Sequence, residues 1–278
     1  VVAAPISDAA TWRDWIGVRE KLTANRTYYV RTDGSDSNTG LVDSAGGAFL
    51  TIQKAVDVVY GLDWSIYTPT IDIGDGTYTD PVVITGPNPG SGILQVVGNT
   101  GTPANVVIST TAAIAFTAQN YAAIFLTGFK IETTDGGDCL FLDSYTVASI
   151  TLMDFGASDN SQIAVGSNSK LNVVEGGSYT ISAGAESHWS VGEGFGYIEC
   201  IDVEITLTGT PNFVEGFALC EQNSVIETVG VVFTGSATGV RYKVINGGVI
   251  IADGSTFPGD TAGEGTDFGT DPWGLYLA

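Results

Sequence analysis

From residue 68 onward the chain is a succession of short apolar-rich runs, each about five residues long and punctuated by Gly and Asn. Thr70–Ile73, Val82–Thr85, Ile93–Val97 and Val106–Ser109 are such runs, of strand length and rich in β-branched residues. Matched runs around an Asn-Gly or Asp-Gly pair are missing apart from Asp75-Gly76, so hairpins are not the expected connection. A longer repeat overlies the strands. Segments starting at Ile124, Ile150, Leu171, Ile198, Ile226 and Ile250 each carry an inward pair at i and i+2 followed by a turn-like residue. Their starts lie 26, 21, 27, 28 and 24 residues apart. With no helix in between, that period suits one coil of a solenoid of parallel strands, each coil burying its apolar face on the next. Leucine-rich repeats share the period, but their Leu/Asn signature is absent.

Two segments near the front follow a spacing of three and four instead. Ser7 as N-cap, Asp8 in the first turn and Trp12, Trp15, Ile16, Arg19 and Leu22 on one stripe predict a short amphipathic helix over 8–22. Its tryptophans need a surface, either the chain's own body or copies of the chain. Thr51, then Ile52, Ala55, Val56 and Val59 on one face and Gly61 as a stop, predict a second helix. Between the two, Thr27–Arg31 reads as a strand and Asp33–Gly40 as a hydrogen-bonded turn. Asp36-Ser-Asn38-Thr-Gly40 is faintly like a calcium loop but lacks the closing acidic residue. The chain thus divides into a helical linker over 1–26, an opening strand, loop and helix over 27–67, the solenoid body over 68–257, and an exit segment over 258–278.

Composition supports an all-β reading, since Val, Ile and Thr supply 82 of 278 residues. At 44% apolar and 15% charged, the chain has a core to bury and is no disordered acidic tail. The net charge of −21 is unevenly placed. Residues 1–54 balance six basic side chains against six acidic ones, whereas the remainder sets Lys130, Lys170, Arg241 and Lys243 against 25 acidic residues. A body with that field repels phosphate backbones, which argues against nucleic acid as a partner. A single histidine excludes a multi-His metal centre. VVAAPISDAA has neither a basic n-region nor an apolar h-region, and no later run approaches 18 apolar residues, so no membrane insertion is expected. Cys139, Cys200 and Cys220, odd in number and unrelated in spacing, read as buried small hydrophobes rather than a disulfide framework.

The stretch Tyr28–Gly40, followed by Ala48-Phe-Leu-Thr-Ile-Gln-Lys-Ala-Val-Asp57, resembles the opening of the right-handed parallel β-helix of the pectate-lyase-like superfamily, in the version found in bacteriophage tail spikes and tail fibres. Asp8-Ala-Ala-Thr-Trp-Arg13 is similar to the linker that precedes receptor-binding domains of phage tail proteins. Arg241–Val249 and Phe257–Gly263 are similar to the last coil and exit segment of phage and prophage-derived spikes. The middle is matched by its periodicity alone. The resemblance implies an all-β, right-handed single-stranded parallel β-helix whose helix after Thr51 plugs the first coil and covers an edge that would recruit other strands. It also implies a homotrimer on a virion or particle surface, extracellular when acting, joined to other virion or baseplate proteins through its N-terminal segment and adhering to host surface polysaccharide. A polysaccharide depolymerase, a glycoside hydrolase acting on capsule or lipopolysaccharide, is the enzyme reading of the same fold; a stalk without ligand is the third. No resident cofactor is implied, and calcium is the one ion the acidic body suggests.

Four residues after each repeat start stand Gly128, Asp154, Glu175, Asp202, Gly230 and Gly254. In that alignment Asp154, Glu175 and Asp202 form a ladder at roughly 5 Å per rung. Carboxylates that close would raise at least one pKa and supply the acid and base of a glycosidase, or hold a divalent cation. Fanned apart, they are solvated turn residues, and one residue inserted in coil 171–197 breaks the ladder. A second constellation, Glu186-Ser-His188-Trp189-Ser-Val-Gly-Glu193-Gly-Phe195-Gly-Tyr197, has the composition of a sugar platform. Trp189 would stack on the ring, with Glu186, His188, Glu193 and Tyr197 around it. Trp189 equally suits a stacked core or a subunit interface. Lyase chemistry fits poorly, because Lys130 and Lys170 are the basic residues between 55 and 240.

Overall fold

The computed structural model describes residues 18–265 and 274–277. The chain winds through three sheets of ten, seven and eight strands, and strand pairing within them is parallel. Sheet 1 runs from Arg26–Val30 to Leu275–Leu277, sheet 2 from Gly76–Tyr78 to Val232–Thr234, and sheet 3 from Val82–Thr85 to Tyr242–Val244. The architecture is a β-solenoid of about eight turns with about 5% helix, consistent with the right-handed parallel β-helix, the hand that parallel crossovers overwhelmingly take. The exit segment prolongs the solenoid rather than leaving it, since Leu275–Leu277 adds a strand beside Val249–Ile251.

Register builds the core. Leu94, Ile124, Ala148, Leu171, Ile198, Ile226 and Ile250 stack in one inward column of sheet 1. Ile71, Val96, Leu126, Ile150, Val173 and Cys200 stack in the next. The repeat read from sequence is therefore out by two residues on one coil. Ile150 pairs with Leu126 and Val173, while Ala148 occupies the place assigned to Ile150, and an inward alanine carries too weak an apolar signal to mark the rung. Cys139, Cys200 and Cys220 are free and buried, as expected.

The front of the solenoid is sealed by helix α1, Ile52–Tyr60. Thr51 Oγ1 accepts from Lys54 N at 3.2 Å as its N-cap, Gly61 ends it, and Ile52, Ala55, Val56 and Val59 face the first coil. Gln53 closes an edge in a different way. Its side-chain amide accepts from Val83 N at 2.7 Å and donates to Val83 O at 3.1 Å, pairing with the first strand of sheet 3 as another strand would. The loop before α1 covers the edge of sheet 1, where Tyr29 N donates to Gly40 O and Arg31 N to Phe49 O. Asp36 holds that loop in a turn by accepting from Leu50 N, Thr51 N and Thr51 Oγ1. The predicted helix over 8–22 falls mostly outside the described residues. Its last part is not helical: Asp63 N donates to Glu20 O, Leu22 N donates to Asp63 O, and Leu22 is buried by that pairing.

Where sheet 2 hands over to sheet 3 the chain bends, and consecutive residues both face inward: Gln162 with Ile163, His188 with Trp189, Phe217 with Ala218. Gln162, His188 and Tyr179 form a buried polar chain inside this aromatic corner. The Gln162 amide donates to Gly156 O at 2.7 Å and Ala183 O at 2.8 Å, which leaves its Oε1 to accept from His188 Nδ1 at 2.7 Å. His188 Nε2 must then accept the Tyr179 hydroxyl proton, also at 2.7 Å, so the network is complete only with a neutral imidazole. Phe155, Trp189, Phe213 and Phe217 surround that ring.

Burial holds the His188 pKa well below its usual 6.5, so as pH falls through that value the unfolded chain takes up a proton that the native state refuses. This residue should therefore withdraw up to about 1.4 kcal/mol of stability per pH unit below that point. His188→Phe should be the less stable protein at about pH 7.5, because it strands Gln162 and Tyr179, and the gap to wild type should narrow towards about pH 5. Denaturant melts across that range measure it; a constant gap would mean that His188 titrates normally in the fold.

Candidate functional site

The structure takes Asp154 out of the expected carboxylate ladder and leaves Glu175 and Asp202 on adjacent coils. With the register corrected, Leu152 rather than Asp154 follows Gly128, whose N–H donates to Leu152 O. Asp154 lies in sheet 2 between Lys130 and Thr180, largely buried, and that burial raises its pKa. Glu175 and Asp202 are exposed in neighbouring turns, where Gly176 N donates to Asp202 O at 3.1 Å. The platform residues scatter too. Trp189 and His188 are fully buried, because the corner bend turns both inward and removes them from any ligand. Tyr197 lies on the outside of sheet 1, with Lys170 Nζ 4.8 Å from its ring centre and its hydroxyl donating to Glu227 beside the Glu199 carboxylate. Glu186 is exposed near the start of its sheet 3 strand, and Glu193 is exposed in the turn after it.

That turn belongs to the corner between sheets 3 and 1, which repeats one device on successive coils. Two consecutive residues adopt left-handed backbone: Asn120-Tyr121, Ser144-Tyr145, Ser167-Asn168, Gln222-Asn223 and Asn246-Gly247, with Glu193, Gly194 and Phe195 on one coil. Stacked N–H groups tie the turns together, Tyr121 N to Ser144 O, Tyr145 N to Ser167 O and Asn168 N to Gly194 O. Asn and Gly are the residues this geometry favours. Tyr121, Tyr145 and Phe195, at φ of 67°, 65° and 63°, are not, and bulky side chains held there carry strain of about 1–3 kcal/mol. All three also point into solvent, at 61%, 52% and 63% exposure. Tyr121 and Tyr145 stack face to face with centres 5.0 Å apart and planes 4° apart, and Phe195 follows two rungs on, roughly 10 Å further along the axis.

Beside this aromatic ladder, on the outer face of sheet 3, lies a cleft of about 150 Å³. Ala164 and Ser190 form its floor next to Phe141, because small residues there interrupt the outward column. Asp138, Asn160 and Ser161 line it, as do Glu193 and Glu221. Asp138 is almost wholly buried and accepts from Asn160 Nδ2 at 2.8 Å and Ser161 N at 2.9 Å. Burial outweighs those bonds and pushes its pKa up to about 6, with the fields of Glu193 and Glu186 adding to the rise. Glycines give the carboxylates room. A Cβ on Gly166 would lie 3.0 Å from Glu193 Oε2 and 3.6 Å from Asp143 Oδ1, and one on Gly192 would lie 3.1 Å from Glu221 Oε1. Asp143 Oδ1 is shielded from solvent and has no hydrogen-bond partner.

The site thus keeps Glu193 from the residues expected by sequence and adds Tyr121, Tyr145, Phe195, Asp138, Asp143 and Glu221. Two Tyr residues 24 positions apart, each preceded by a small polar turn residue, were the available signal, since that spacing is one coil. No family model, curated protein or solved structure matches the chain.

Surface and core aromatics should respond oppositely to truncation. Tyr145→Asn relieves left-handed strain at an exposed corner but loses the stack on Tyr121, opposing effects that should leave stability within about 1 kcal/mol of wild type. Trp189→Ala should cost about 3–5 kcal/mol by leaving a cavity. Chemical denaturation of the two variants checks the assignment of Tyr145 to a surface role and Trp189 to packing.

Proposed function

We propose that the chain is a virion spike or tail-fibre β-helix that adheres to cell-surface polysaccharide through the corner between sheets 3 and 1. The observation that carries this reading is the solvent-exposed ladder of Tyr121, Tyr145 and Phe195, kept in strained turns beside a cleft of carboxylates. Flat aromatic faces stack on the CH faces of sugar rings, while carboxylates and the Asn160 amide take hydroxyl hydrogen bonds. Strain retained at an exposed position points to function more than to packing. The likeness of both chain ends to phage spikes supplies the particle context. On an array of bacterial surface polysaccharides, the wild-type chain should bind at least one glycan and Tyr121→Ala/Tyr145→Ala should lose it. Binding that survives the double substitution, or no binding to any glycan or intact cell, overturns the reading.

Asp138 favours a second reading, hydrolysis of the bound glycan. A buried carboxyl whose pKa is pushed up to about 6 is suited to act as general acid, and Glu193 and Glu221 line the same cleft as candidate bases. Release of reducing ends from a bound polysaccharide, abolished in Asp138→Asn, is the expected result if the spike is also a depolymerase. A polysaccharide that is bound and recovered at full length leaves adhesion alone.

A further inference from the structure

The geometry points to a modification site on the outer face of sheet 2: an amide bond between the Lys130 side chain and the Asp154 carboxyl, formed by the chain on itself with Glu132 carrying the protons, which ties two successive coils together covalently. The inference starts from an acid that faces outward and is nevertheless hidden. Phe129, Ile131, Phe155 and Ile181 point into the core, so Lys130, Glu132, Asp154 and Gly156 stand on the outer face. Asp154 is only 7% exposed there, and its Oδ1 is shut off from solvent without a hydrogen-bond partner. An oxygen in that state carries a desolvation cost that nothing offsets. Its cover is its own register partner. A Cβ on Gly156 would lie 2.6 Å from Lys130 Cε and 2.7 Å from Glu132 Oε2, so both side chains fold down over the strand that carries Asp154. Lys130 pairs with Asp154 across the two strands, and its Nζ rests on Glu132 Oε2 at 2.9 Å. A lysine side chain is longer than the strand spacing of about 4.8 Å, so rotation about its last bonds carries Nζ from Glu132 to the carboxyl one rung away. The other ion-paired lysines lack such a neighbour. Lys170 stands between Val147 and Tyr197, and Lys243 beside Leu219 and the exposed Glu264.

The three residue types supply what the condensation needs. Burial outweighs the field of Lys130 and, with Glu132 adding to it, raises the Asp154 pKa, which favours the neutral acid that the reaction consumes. Glu132 takes one proton from the Lys130 ammonium, and the neutral Nζ forms a bond to Asp154 Cγ. The Cγ–OH bond then breaks, the hydroxyl leaves as water with the proton held by Glu132, and Glu132 takes a second proton from the nitrogen. One ammonium and one carboxylic acid thus give one amide, one water and one proton released to solvent. Between free molecules in water this condensation is unfavourable. Fixed on adjacent rungs, the two groups meet at an effective concentration of about 10⁵–10⁸ M, and the covered outer face holds back the water that would reverse it.

The test is the intact mass of the full chain after prolonged incubation in the folded state. Wild type should be lighter than its sequence by one water, whereas Lys130→Arg, Glu132→Gln and Asp154→Ala should each have the mass of their own sequence. Trypsin should leave wild type uncut after Lys130, because the acylated side chain has lost its charge, and should release residues 55–170 as one peptide that is one water light. Glu132→Gln should instead give two separate peptides that meet at Lys130. A wild-type mass equal to that of the sequence overturns the inference, whether or not the variants fold. A loss of water that persists in Lys130→Arg also overturns it, since the dehydration then lies elsewhere in the chain. Linkage undiminished in Glu132→Gln overturns the role given to Glu132.

Discussion

Each coil of this molecule lands in register on the coil before it, and the rest of the structure depends on that. A single coil has no face it can bury by itself, so its inward residues must stack on the same columns, one strand spacing at a time. Along the straight sheets the demand is met by Ile, Val and Leu at alternate positions. At corners it is met by backbone conformation, two or three consecutive left-handed residues on successive coils between sheets 3 and 1, and by consecutive inward residues between sheets 2 and 3. At the front it is met by α1 and the loop before it, because among the described residues no coil lies beneath the first.

Sheet 1 could be read from the sequence because its strands alternate plainly, and α1 because Thr51 and Gly61 punctuate a clean apolar face. The carboxylate ladder failed for a local reason. Ala148 is an inward rung that looks like nothing in a hydropathy pattern, so the alignment slid to Ile150 and carried Asp154 into a false column. Trp189 and His188 failed for another. Strand alternation assigns neighbours to opposite faces, and a corner bend puts both on the same side. Tyr121 and Tyr145 were missed because aromatic residues are not expected at left-handed turn positions, which is also why they are informative there.

Polarity is handled differently inside and outside. In the core, His188 is tolerated because Gln162 and Tyr179 fix its tautomer and leave no proton or lone pair wanting. On the surface, carboxylates in the cleft are left without counter-ions, and the burial of Asp138 raises its pKa to about 6. The net charge of −21 is thus partly a feature of one corner rather than a diffuse property of the solenoid.

Gln53 has a consequence for how such a molecule can change in length. Because its amide already occupies the pairing groups of Val83, sheet 3 is closed at the front, and further rungs are accommodated only behind it. Duplicating or deleting one whole coil within the body leaves the cap untouched and restores every column. The length of the solenoid behind its cap can therefore drift over generations in steps of a single rung, while the corner between sheets 3 and 1 keeps its geometry.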